Sequence, residues 1–137
     1  MSRLSRSRVS PVARSGAANK ISGAAGEDFA AAALDAAGYR ILDRNWSCRD
    51  GELDIVALDA TGYEPHLVFC EVKTRRTRAF GDPCEAVNPE KQRRIRVAAL
   101  EWLAGHADVP HGALRFDIFE IVVVRGMVTS NHLRNAF

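Results

Sequence analysis

The sequence predicts a single α/β domain, a mixed sheet flanked by two helices. Two segments carry helical signals. Residues 22–37 are dense in alanine, the strongest helix former, and residues 88–105 open on Asn88-Pro89-Glu90, an N-cap followed by proline at the first helical position. Five runs rich in β-branched and aromatic residues, bounded by turn residues, read as strands. Between the third and fourth strands lies the second helix. That order demands a crossover connection, and such crossovers join parallel, right-handed strand pairs.

In the first helix Phe29, Ala33 and Ala37 share one face, with Ala30 and Leu34 beside it. Glu27 and Asp28 fall where acids suit the helix dipole, and Gly38 suits the residue just past the end. Tyr39–Cys48 is the first strand, with Tyr39, Ile41 and Trp46 facing apolar neighbours. Arg49-Asp50-Gly51 turns the chain into Glu52–Leu58, and residues 59–65, with Gly62 and Pro65, connect it to His66–Thr74 as an antiparallel hairpin. Arg75–Pro83 reads as a polar loop. In the second helix Ile95, Ala98, Ala99, Trp102 and Leu103 form the apolar stripe, and Gly105 closes it. Ala113–Val124 and Met127–Leu133 complete an α-β-β-β-α-β-β order. Trp46 and Trp102 read as core. Residues 1–22, rich in Ser, Arg, Ala and Gly and without apolar period, read as a disordered basic tail; an acid-free, Arg- and Ser-rich start suits either a basic arm or an organelle transit peptide. Residues 23–137 are then the domain.

The formal net charge of +2 conceals an uneven distribution. Residues 1–22 hold five basic residues and no acid, and residues 73–96 hold eight basic against three acidic. An acidic body with a basic tail and a basic flank points to a polyanionic partner. The three cysteines (Cys48, Cys70, Cys84) lack CxxC spacing, which suits free thiols in a reducing compartment. No apolar run approaches the roughly 18 residues of a membrane span, and no secretory signal pattern is present. These observations predict a cytoplasmic protein without membrane contact.

Within this frame two strands carry acid where a core strand carries apolar residues. Asp54 lies between Leu53 and Ile55, and Glu71 between Cys70 and Val72, with Lys73 two residues on. Burying an unpaired charge costs several kcal/mol. Strand periodicity puts Glu71 and Lys73 on one face, roughly 7 Å apart, and hairpin pairing brings Asp54 opposite or diagonal to Glu71. Two such carboxylates repel unless a cation lies between them. Oxygen ligands suit Mg2+ or Mn2+, and Lys73 would orient water or stabilise phosphate charge. Glu27 is a further acid from outside the sheet. Read without a cation, the same residues form a structural salt-bridge cluster, with Lys73 paired to Glu71 and Asp54 capping a loop. Arg75, Arg76 and Arg78, directly after the third strand, and Lys91 and Arg94, at the start of the second helix, are candidate phosphate contacts. The four histidines show no ligand spacing, and Asp117, an acid between Phe116 and Ile118, has no role legible at this level.

Gly-Glu at 26–27, GELDIVA at 51–57, FCEVKTR at 69–75, the Phe-Gly-x-Pro-x-x-Ala-Val run at 80–87 followed by Lys91, RFD at 115–117 and Asn-Ala-Phe at 135–137 resemble the YraN family over roughly residues 23–137. The resemblance implies a restriction-endonuclease-like αβββαβ core, similar to that of archaeal Holliday-junction resolvases. It implies a metal-dependent nuclease in which Asp54 and Glu71 bind Mg2+ or Mn2+, Lys73 assists catalysis, and Glu27 and the Val72 carbonyl complete the metal site. The expected activity is endonucleolytic hydrolysis of DNA, branched or structured DNA included. The alternative is a non-catalytic adaptor on the same fold that binds nucleic acid or a DNA-processing partner. Cutting both strands of a duplex would call for a homodimer.

Overall fold

The structure, a computed structural model, describes residues 4–8, 23–77 and 87–137. Its elements are β1 (Leu4–Arg8), α1 (Gly23–Ala36), β2 (Tyr39–Cys48), β3 (Gly51–Asp59), β4 (His66–Thr77), α2 (Pro89–Gly105), β5 (Leu114–Val124) and β6 (Met127–Leu133). The strands form one sheet in the order β1-β6-β5-β4-β3-β2. Among the described strands only β4 and β5 pair in parallel, as the crossover through α2 demands; every other neighbouring pair is antiparallel. The run α1-β2-β3-β4-α2-β5 has the αβββαβ order of a restriction-endonuclease-like fold.

The two helices build separate cores. Ala30, Ala31 and Leu34 of α1 pack on Tyr39, Ile55, Ala57, Val68, Phe119 and Ile121. Ile95, Ala98, Ala99 and Trp102 of α2 pack with Leu53, Val56, Leu67 and Phe69. The buried face of α1 also includes Gly26, while Phe29 and Ala33 pack at its margin and Ala37 is exposed beyond the helix end. Gly38, at φ 97°, takes the left-handed conformation expected past a helix C-terminus. Asn88 caps α2, its side chain accepting a hydrogen bond from the Lys91 amide at 2.8 Å. Trp102 is buried and donates its indole N–H to Asp43 at 2.9 Å; Trp46 is half-buried against the same core. Cys70 is buried, Cys48 half-buried, and both are free thiols.

Two expectations are corrected. Leu4–Arg8, expected within an unstructured tail, pair antiparallel with β6. The exposed hydrogen-bonding edge of β6 recruits a strand there, which no local apolar pattern announces. β4 also extends three residues beyond its expected end, so Arg75 and Arg76 lie on a strand and not in a loop. The ladder to the apolar stretch Val122–Val124 continues past the last apolar residue of β4 and carries this polar segment with it. Cys84 and Arg78 lie outside the described residues. Among the described residues no helix is long and apolar enough to cross a membrane.

Candidate metal and phosphate site

The sheet forks where the two acids meet. β3 and β4 pair from Asp59–His66 as far as Ile55–Cys70. Beyond that point β3 remains paired with β2 as far as Gly51–Cys48, while β4 follows β5 to Thr77–Val124. Continuing the register would set Asp54 against Glu71, but the ladder ends one pair short. In place of a backbone partner, the Val72 N–H donates to Asp54 Oδ2 at 2.9 Å. N–H and C=O of one strand residue point to the same side, so the Val72 carbonyl faces the same gap.

The backbone of β3 is irregular at this point. Leu53 joins the core under α2, whereas Ile55, two residues on, joins the core under α1. Strict alternation would have put both on one face. Across the ladder, Asn45 has φ 52°, and no Asn45–Asp54 pair appears between the Arg44–Ile55 and Trp46–Leu53 pairs. The irregularity directs the Asp54 carboxylate into the fork.

Asp54 is the centre of the acidic set. It lies within hydrogen-bonding reach of Glu71, and its charge acts on both Glu71 and Glu27. Burial, reinforced by the Asp54 charge, pushes the Glu71 carboxyl up to about 7 against the opposing pull of Lys91. Glu71 is only 12% exposed, and Lys91 Nζ of α2 stands 3.4 Å from its Oε2. Glu27 on α1 is raised by burial and by Asp54 as well, and a hydrogen bond to the Asn45 side chain moderates the shift. An ion pair between Asp28 and Arg44 at 2.6 Å ties the same helix end to β2.

The structure thus brings together Asp54, Glu71 and the Val72 backbone, with Lys91 on Glu71. Glu27 stands apart: among the described residues no three His, Cys, Asp or Glu side chains converge closely enough to hold a metal ion. Two carboxylates and a carbonyl nevertheless fit Mg2+ or Mn2+. Mg2+ keeps several of its waters and takes one or two carboxylates from a protein, and here two adjacent carboxylates share the single ammonium of Lys91.

Lys73 shares the Glu71 face by alternation and pairs in parallel register with Glu120. Glu120 is buried, accepts a hydrogen bond from Asn131 at 3.0 Å and lies 3.6 Å from Arg75. Arg75 is therefore drawn toward an internal carboxylate, while Arg76 is exposed on the opposite face of β4. Glu120 escaped sequence reasoning, although it carries the signal that exposed Asp54 and Glu71, an acid inside an apolar run. Asp117 belongs to a separate buried network. It takes both Arg115 Nε and Nη2 at 2.9 Å, His132 Nε2 at 2.7 Å and the Asn135 amide at 2.9 Å. Arg115 continues to Asp59 at 2.8 Å and to the Tyr39 hydroxyl at 2.7 Å.

Beside the fork, the β2–β3 turn and the N-terminal half of α2 enclose a groove of about 390 Å³. Lys91 and Arg94 line it together with Arg49.

The model of an uncharacterised protein family, UPF0102, matches residues 26–121. A UPF0102 protein of Geobacter sulfurreducens is 48% identical over 128 residues, 93% of this chain and 96% of that protein. One from Bifidobacterium longum is 47% identical over 116 residues, 84% and 91% of the two chains, and one from Streptomyces griseus 46% over 110 residues, 80% and 89%. The motifs at 51–57 and 69–75 are thus those of a shared family: the chain belongs to UPF0102, the YraN family.

Proposed function

We infer that this chain is a divalent-metal-dependent endonuclease that hydrolyses phosphodiester bonds of DNA, branched or structured DNA included. One observation carries the reading: Asp54 and Glu71 are held together at the fork between β3 and β4, with Glu71 pushed up to about 7 by burial and by Asp54. A structural salt bridge needs one acid and one base; a second carboxylate in the same gap only adds repulsion. Oxygen-ligand sites of this kind use Mg2+ or Mn2+, and a bound ion supplies Lewis acidity at a phosphoryl oxygen and lowers the pKa of water.

The chain's own residues do the rest. Asp54, Glu71 and the Val72 carbonyl would hold the ion, and the Val72 N–H fixes the Asp54 rotamer. Lys73, on the Glu71 face, stabilises charge on the phosphate or orients the water. Lys91 and Arg94, which line the groove beside the fork, neutralise neighbouring phosphates, which gives affinity without sequence preference.

The test is a panel of labelled flap, junction, single-stranded and duplex DNA with Mg2+ or Mn2+. Ion-dependent cleavage is expected, reduced by Glu71→Gln by about two orders of magnitude or more, the counterpart of several kcal/mol. No cleavage of any member, or full activity in Glu71→Gln, would sink the reading. A second reading, a non-catalytic nucleic-acid-binding adaptor, draws on the fact that among the described residues only two acids converge and that Lys91 already balances one of them. It predicts salt-dependent DNA binding without calorimetric uptake of Mg2+ that depends on Asp54.

A further inference from the structure

We propose that the groove between the β2–β3 turn and α2 is a subsite for one unpaired nucleotide of the nucleic acid engaged at the Asp54–Glu71 fork. The proposal rests on the nucleic-acid half of the function inferred above, and it names the form of substrate that site prefers.

Its size comes first. The groove measures about 390 Å³, at the lower end of the roughly 300–1,000 Å³ of small-molecule sites. That admits a single base and sugar; a base pair, which is twice as large and still joined to its duplex, does not enter. Its chemistry comes second. Cys48 and the edge of the largely buried Ile95 form a small apolar floor, while Arg49 and Arg94 stand on the turn and on the helix. Guanidinium planes stack on exposed bases and contact phosphates. Asp50 and Glu52 also line the groove. Their carboxylates accept hydrogen bonds from the exocyclic amino groups of bases and repel a phosphate, so they favour a base here and direct the backbone toward the basic side.

Position is the third argument. Lys91 lines the groove and also stands 3.4 Å from Glu71. A phosphate on Lys91 is therefore shared between a nucleotide in the groove and a bond presented to the fork. The groove is also preformed. A Cβ on Gly51 would stand 3.0 Å from the Arg94 carbonyl oxygen, so the end of the turn rests closely on the α2 backbone and a side chain there would have to push the two apart by a few tenths of an ångström.

The test compares two labelled oligonucleotides with equal numbers of phosphates, one fully paired and one carrying a run of unpaired thymidines beside its duplex. Binding is read by fluorescence anisotropy in a chelator at fixed salt, so that neither metal nor cleavage enters. The unpaired probe is expected to bind roughly tenfold tighter. Arg49→Ala combined with Arg94→Ala should erase that preference. Arg93→Ala removes a charge from the same helix outside the groove, so it should weaken both probes alike and leave the preference intact. All three arginines are exposed, and melting curves verify that the variants fold. Equal affinities in the unaltered protein, or loss of the preference in Arg93→Ala, would overturn the subsite. Preference without cleavage would leave the subsite standing and sink the nuclease reading; cleavage without preference would do the reverse.

Discussion

Glu71 shows how much a single residue's surroundings decide. A carboxyl with an ordinary value of 4.5 is raised to about 7 because burial removes water and Asp54 adds a like charge, while Lys91 recovers only part of the loss. The folded state thus binds a proton that the unfolded state has released between pH 4.5 and 7. Without metal, stability must fall as pH rises through that window and level off above it, by on the order of 3 kcal/mol. Urea titrations in chelator at pH 5 and pH 8 measure the fall. Glu71→Gln should lack this component, and Mg2+ or Mn2+ at pH 8 should restore stability to the unaltered protein by linkage. Identical pH profiles for protein and variant would contradict the geometry of the pair. At this scale the sequence was informative about the acids and silent about their setting. Asp54, Glu71 and Lys73 stood out as charges in apolar runs. The broken alternation at Asp54 and the positive φ of Asn45 depend on a partner strand, and no residue within β3 announces them. Glu27 shares the electrostatics of the site but not its coordination distance, a distinction that motif spacing does not carry.

Among the elements, β5 carries a buried network of charges. Arg115 and Asp117, two residues apart on one face, anchor a network that reaches β2 through Tyr39, β3 through Asp59 and β6 through His132. Burial alone would raise Asp117, yet hydrogen bonds from His132, Arg115 and the Asn135 amide hold it below the usual carboxylate range. Removing one member leaves buried charge uncompensated, so Asp117→Ala should cost about 3–5 kcal/mol. Denaturation should show a lower urea midpoint with an unchanged slope. The depressed carboxyl stabilises the fold above its unfolded value near 3.8 and loses that contribution as pH falls through its folded value. The acid limb of the stability profile should therefore be shallower in Asp117→Ala. An unaltered midpoint would show that the network is solvated. The order of elements, the antiparallel hairpin and the parallel crossover were legible because periodicity, the Asn88-Pro89 start and Gly38 are local signals. The length of β4 and the existence of β1 were not. Both depend on backbone hydrogen bonds offered by a neighbour, Val122–Val124 for one and the edge of β6 for the other.

Across the whole molecule, the core under α2 needs an anchor that holds this helix against the strands bearing the site. A line of rings supplies it. Phe137 stacks on Phe116 at 5.5 Å between centroids, Phe116 stacks on Phe69 at 5.6 Å, and Phe69 meets Trp102 of α2 edge-on at 6.1 Å. Arg96 of α2 lies over both Phe116 and Phe137, at 5.5 and 5.3 Å. The Ala136 amide donates to the Phe116 carbonyl at 2.7 Å and fixes this segment on β5. The resemblance at Asn-Ala-Phe, residues 135–137, therefore has a physical counterpart far from the fork: it clasps the helix that carries Lys91 and Arg94. Phe137→Ala removes a half-buried ring, its stacking on Phe116 and a cation–π contact with Arg96, and should cost about 1–2 kcal/mol. In a domain of this size that lowers the melting temperature by about 3–10 °C, measurable by scanning calorimetry. Phe137→Leu retains much of the apolar area but not the stacking, and should fall between the two. If the clasp acts through α2, salt-dependent nucleic-acid binding should weaken in Phe137→Ala at temperatures where the protein is still folded, although residue 137 contacts no phosphate. A lower melting temperature with unchanged binding would confine the clasp to stability and leave the position of α2 to its own packing against β3 and β4.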